Sequence, residues 1–115
     1  MKRVYVAGAY SADNVLDVLK NIGRGEDYAS QIFLEGMAPF CPWHDKEFII
    51  RYWDEEYTVP QFYDYSMAWL EVCDAMFLVP GWENSAGTWK EMQRAGELGI
   101  PIFDDILKLV EWSLI

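Results

Sequence analysis

Apolar runs of strand length alternate along this chain with stretches whose apolar positions recur at every third or fourth residue. Val4, Tyr5, Val6 and Ala7 predict a buried strand over Arg3 to Ala7, and Ala75, Met76, Phe77, Leu78 and Val79 predict another. Shorter runs predict strands at Met37 to Cys41 and at Ile100 to Phe103. Ile22, Ala29, Ile32 and Phe33 form a stripe at helical spacing, which predicts a helix over Asp13 to Glu35. Further helices are predicted at Gln61 to Val72, Thr88 to Leu98 and Asp105 to Ser113. Gly36 and Gly99 each stand between a helix and the next strand, where a left-handed cap suits a residue without a Cβ. Gly23 and Gly25 lower the propensity of the first helix and imply close packing there. The stretch from Pro42 to Pro60 exceeds the usual crossover and is expected to form an active-site lid, with Phe48, Ile49, Tyr52 and Trp53 in a short amphipathic helix.

Strand and helix in alternation imply a parallel sheet covered on both faces. The expected fold is a single-domain α/β, flavodoxin- or Rossmann-like three-layer sandwich over residues 1–115, with a parallel sheet of four to five strands. One domain is what 115 residues allow.

Charge and composition narrow the partners. Nine basic against nineteen acidic residues leave a net charge of -10, which opposes binding to nucleic acid polymers and anionic membranes. A small phosphate is still compatible, because helix N-terminal amides hold it without net positive charge. Six Trp, seven Tyr and six Phe within 52% hydrophobic content point to aromatic surface in a pocket or subunit interface, so a homodimer or larger assembly is expected. Met1-Lys2-Arg3 leads into an apolar run too short for a signal peptide or a membrane span, so a cytoplasmic location is expected. Cys41 and Cys73 read as reduced core residues.

The most informative stretch is Ser85-Ala86-Gly87-Thr88-Trp89-Lys90-Glu91, set after the apolar run Ala75-Met76-Phe77-Leu78-Val79. With a helix from Thr88, Glu91 falls in its first turn at the carboxyl end of a strand, where open α/β sheets bind ligands. The helix dipole there favours an ionised carboxylate, which suits a nucleophile; the plain alternative is a charge that stabilises the helix start. Gly8-Ala9-Tyr10-Ser11 opens the first helix as either a binding turn or an ordinary one, and it lacks both the three spaced glycines of dinucleotide sites and a P-loop lysine. Asp64 is the second carboxylate of interest, since cleavage at an anomeric carbon calls for a nucleophile and an acid or base. Trp43 offers a face on which a base stacks, and His44 is a polar rim residue or a substrate hydrogen-bonder. A zinc site from Cys41, His44 and Cys73 lacks a fourth ligand and standard spacing, so no metal is expected, nor any cofactor.

Taken together, Asp64, Trp69-Leu70, Cys73-Asp74, the strand from Ala75 to Val79, and Ser85, Gly87, Glu91 and Ala95 resemble the nucleoside 2-deoxyribosyltransferase-like superfamily over about the whole chain. The resemblance is greatest to its 2'-deoxynucleoside 5'-phosphate N-hydrolase branch and to small phage and bacterial relatives. Val4-Tyr5-Val6-Ala7-Gly8 and the Gly36 to Pro42 segment also fit, although the first turn lacks the extra glycines and arginine frequent in the monophosphate hydrolases. The resemblance implies that Glu91 attacks the anomeric carbon, that Asp64 handles the leaving base's proton or orients the sugar, and that Tyr10 helps position Glu91. It further implies that Ser85 binds a 5'-phosphate, Gly87 gives close backbone approach, Ser11 adds a donor, and a neighbouring subunit completes the pocket. A small-molecule nucleoside or nucleotide is therefore the expected partner. A non-catalytic nucleotide-binding module is the rival reading, and a flavin or signalling protein finds no supporting loop.

Overall fold

The computed structural model describes residues 1–115. Its central strand is β1, Arg3–Ala7, which pairs in parallel with β2, Ala38–Phe40, on one side and with β3, Ala75–Leu78, on the other. A short β4, Ile102–Phe103, adds in parallel beyond β3, so the strand order is β2-β1-β3-β4. Parallel neighbours need crossovers, and four helices supply them: α1, Val15–Leu34; α2, Lys46–Arg51; α3, Val59–Leu70; and α4, Ala86–Leu98; a fifth, α5, Ile106–Ser113, follows β4.

Successive side chains of a strand point to opposite faces, so β1 builds two cores at once. Val4 and Val6 pack with Ala29 and Ile32 of α1 and Leu109 of α5. Tyr5 and Ala7 pack with Met67 and Leu70 of α3 and Ala95 of α4. Helices on both faces of a four-stranded parallel sheet give the expected three-layer, flavodoxin-like α/β sandwich.

Element boundaries depart from the sequence reading where capping chemistry sets them. α3 starts at Val59 rather than Gln61, because Thr58 and Gln61 form a reciprocal capping box ahead of Pro60. α4 starts at Ala86 rather than Thr88, because the Ser85 hydroxyl accepts from the Thr88 amide at 3.1 Å. Glu91 therefore lies in the second turn of α4, not the first. Gly36 and Gly99 take the left-handed backbone expected of them, with φ of 90° and 72°.

The Pro42 to Pro60 connection is more ordered than expected. Pro42–Asp45 makes a 3₁₀ turn that runs into α2, which carries Phe48 and Ile49 but stops at Arg51, leaving Tyr52 and Trp53 exposed beyond it. The Tyr57 hydroxyl donates to the carbonyls of Phe48 and Tyr52 and ties the loop back onto α2. Of the two α1 glycines, only Gly25 permits close packing: a Cβ there would lie 2.5 Å from the Trp43 ring, whereas Gly23 faces open space. The Trp43 ring thereby packs against α1 at Gly25, which anchors the start of the connection.

Candidate active site

From β1 the chain winds to β2 on one side and, later, to β3 on the other, and a crevice opens where those two directions part, outside the carboxyl ends of the strands. A cavity of about 560 Å³ occupies it. Four segments line it: the turn Gly8, Ala9, Tyr10 and Ser11 after β1; Trp43, Asp45, Lys46 and Ile49 from the connection after β2; Phe62, Tyr63, Ser66 and Met67 from α3; and Ser85, Ala86, Gly87 and Glu91 from α4. The turn after β1 sits tight against β3, since a Cβ on Gly8 would meet the Val79 side chain at 3.0 Å.

Glu91 has an unusual setting for a carboxylate. It shares the inward stripe of α4 with the buried Thr88 one turn before and the buried Ala95 one turn after, and it receives a hydrogen bond from the hydroxyl of Tyr5 in β1. Burial pushes its carboxyl up from 4.5 to about 7, against the Tyr5 hydrogen bond, which pulls it down. The same burial, together with the Glu91 charge, holds the Tyr5 phenol far above its ordinary value, so Tyr5 stays protonated and donates. The expectation that the helix dipole leaves Glu91 readily ionised is thus corrected. A dipole effect is about 0.3–1 kcal/mol and fades beyond the first turn, whereas a rise from 4.5 to about 7 corresponds to ~3 kcal/mol in favour of the protonated form.

The cavity brings together Glu91, Ser85, Gly87, Gly8, Ala9, Tyr10, Ser11 and Trp43. It does not include Asp64 or His44. The α3 positions that reach the cavity or core, Val59, Phe62, Tyr63, Ser66, Met67 and Leu70, follow helical spacing, and Asp64 falls off that stripe onto the exposed side. His44 is exposed, with Nε2 2.7 Å from Oε1 of Glu26, the same oxygen that accepts from Trp43 Nε1 at 3.0 Å. Burial acts to raise Glu26, but those two bonds prevail and keep its carboxyl low. Cys41 approaches Glu26 and His44, their ligand atoms lying within 4.8 Å of one another, while Cys73 packs on the opposite face of the sheet and cannot join them.

Tyr10 is part-exposed at the mouth, and its phenol is raised by burial and then by the negative charge of Asp45. The phenol that touches Glu91 is that of Tyr5, not Tyr10. Ser85 divides its hydroxyl between the helix cap and the Thr88 hydroxyl, which donates to it at 2.9 Å.

Sequence reading passed over Tyr5, Asp45, Lys46 and Ser66. A signal existed for Tyr5, since a phenol inside an otherwise aliphatic strand needs a buried acceptor. For Ser66 the α3 stripe was enough to place it inward. Nothing local marked Asp45 or Lys46, because their direction follows from the turn that Trp43 anchors.

A family model described as Domain of unknown function (DUF4406) matches residues 46–104, from α2 through β4. No curated protein matches this chain significantly. Among solved structures, the 2-desoxiribosyltransferase from Leishmania mexicana is similar, with a TM-score of 0.62 at 16% identity over 91% of this chain. That identity makes it a likeness of fold, and this chain spans 66% of the length of that protein.

Proposed function

The chain belongs to the DUF4406 family, and from the site it builds we propose that it cleaves the N-glycosidic bond of a deoxynucleoside, nucleoside or nucleoside 5'-monophosphate with Glu91 as nucleophile. The observation that carries this reading is a part-buried carboxylate, held by a buried phenol, in a nucleoside-sized cavity at the switch point of the sheet. The similar fold of a 2-desoxiribosyltransferase supports the substrate class.

An oxygen of the Glu91 carboxylate bonds to the anomeric carbon as the C–N bond breaks and its electron pair leaves with the base, which takes up a proton. Water, or a second base, then attacks the glycosyl ester and frees Glu91. Tyr5 fixes the carboxylate and, by donating, favours its ionised form. The amides at the start of α4, around Ser85 and Gly87, and the Lys46 ammonium offer an anionic 5'-substituent its partners, with Ser11 across the cavity. Tyr10 supplies an exposed aromatic face for the base, and the buried Trp43 ring contributes to the cavity wall. Exposed Ile50, Tyr52, Trp53 and Val59 within the Pro42 to Pro60 connection suit a homodimer that closes the pocket from outside.

The test is a panel of deoxynucleosides, ribonucleosides and their 5'-monophosphates incubated with the protein, with free base followed by chromatography. Release by the natural protein and none by Glu91→Gln is expected, together with a glycosyl adduct on Glu91 by mass spectrometry. Normal turnover in Glu91→Gln refutes the assignment, and recovery of intact, bound ligand favours a sequestering module.

A further inference from the structure

The departing base needs a proton, and among the residues that line the cavity only two are carboxylic acids, Glu91 and Asp45. We infer that Asp45 is the acid that protonates the leaving base, an assignment that rests on the glycosidic reading above. Asp64, the other candidate, lies exposed on α3 and outside the cavity.

Asp45 occupies the joint between the 3₁₀ turn and α2, and although it holds the N-cap position of α2 its side chain caps nothing there. Its backbone partner is the adjacent Lys46, so the carboxyl does not tie down the later amides of the first turn as capping aspartates do. The joint is positioned from behind: Trp43 is pressed onto α1 at Gly25 and tied to Glu26, so the residues that follow it are directed over the cavity. Asp45 therefore shares a wall with Trp43 and Ile49 and faces Tyr10, the aromatic part of the cavity, whereas Glu91 comes from α4 with Ser85 and Gly87.

That separation fits the bond being broken. In sugar-to-sugar cleavage with retention the acid must reach the scissile oxygen itself, which holds the two carboxyl groups about 5–5.5 Å apart. A nucleobase instead takes its proton on a ring nitrogen or carbonyl oxygen remote from the C–N bond. The donor then belongs on the wall against which the base lies. Burial already holds the Asp45 carboxyl above the usual carboxylate range, opposed by the charges of Lys46 and His44, and a base seated against Trp43 excludes more water. The proton passes from Asp45 to the base as the C–N electrons flow into the ring. When water attacks the ester on Glu91, its proton returns to Asp45, and both groups regain their starting forms.

The experiment compares a natural deoxynucleoside with 4-nitrophenyl 2-deoxyriboside, whose leaving group departs as an anion without help. Asp45→Asn is expected to lower kcat/KM on the nucleoside by about 10²–10⁴-fold and to leave the nitrophenyl substrate within a few-fold of the natural protein. Asp45→Glu is expected to recover part of the nucleoside activity, and circular dichroism checks that both variants fold. Equal losses on both substrates, or no loss on either, overturn the assignment of Asp45 while leaving Glu91 in place. Absence of base release by the natural protein removes the glycosidic reading itself, and this inference with it.

Discussion

The floor and the rim of the cavity are built on different principles. The floor is Glu91 and Met67, backed by the buried Tyr5 and Ala95 between β1 and α4, and burial there governs protonation. The rim is the connection after β2, a 3₁₀ turn and a six-residue helix with no fully buried residue of its own, and only Trp43 roots it in the core. Groups that perform bond making profit from a dry, rigid setting. Groups that meet a variable base tolerate a more open segment, since loops carry recognition at low structural cost.

The comparison breaks first at the floor. Glu91→Gln is expected to reduce base release by at least about 10³-fold, measured by chromatography. The same substitution is expected to stabilise the fold at alkaline pH. Glu91 titrates near 4.5 when unfolded and at about 7 when folded, so the folded state holds the extra proton between those values. Stability contributed by this group is present below pH 4.5 and declines as pH rises through about 7. Gln carries no such penalty, so at pH 8 its unfolding free energy, measured by denaturation, is expected to exceed that of the natural protein by on the order of 1–3 kcal/mol.

Tyr5→Phe keeps the ring and removes the donor. Glu91 loses the one bond that lowers its pKa, so the pH at which activity rises is expected to move above 7, with about a tenfold loss at neutral pH. A pH–rate profile reads the shift, and an unmoved profile means that Tyr5 does not act through the carboxylate.

At the rim, Gly25→Ala drives a Cβ to 2.5 Å from the Trp43 ring and must displace it. A stability loss of about 1–3 kcal/mol is expected, with kcat/KM on nucleosides falling because the wall that carries Trp43 and Asp45 moves while Glu91 does not. Denaturation and steady-state kinetics test both parts. Asp64→Asn is the smallest change: Asp64 is exposed and outside the cavity, so stability is expected within about 0.5 kcal/mol and activity within a few-fold. A large loss in that variant would return Asp64 to the mechanism.

How much of this was legible depended on the range of each interaction. The strands at Val4 to Ala7 and Ala75 to Leu78 were readable because burial on both faces demands continuous apolar runs. Glu91, Ser85 and Gly87 stood out because they open the helix that follows a clear strand. The start of α4 lies two residues earlier than expected, which puts Glu91 in the second turn, and burial there, which no local stretch announces, raises its carboxyl. Asp64 looked like an ordinary partner acid until the rotation of α3 put Ser66 and Tyr63 inward in its stead.

Alternation, capping residues and charge balance, all local or additive properties, were enough for the sequence alone to determine the layers, the parallel sheet and the end of the strands at which the cavity opens. Which polar groups meet was decided only in three dimensions. Tyr5 and Glu91 are 86 residues apart, and their bond depends on the pairing of β1 with β3 and on the rotation of α4 about its axis. The direction of Asp45 depends on a tryptophan seated against a glycine of another helix. Packing sets such orientations through many weak contacts at once, and no single stretch of chain contains them.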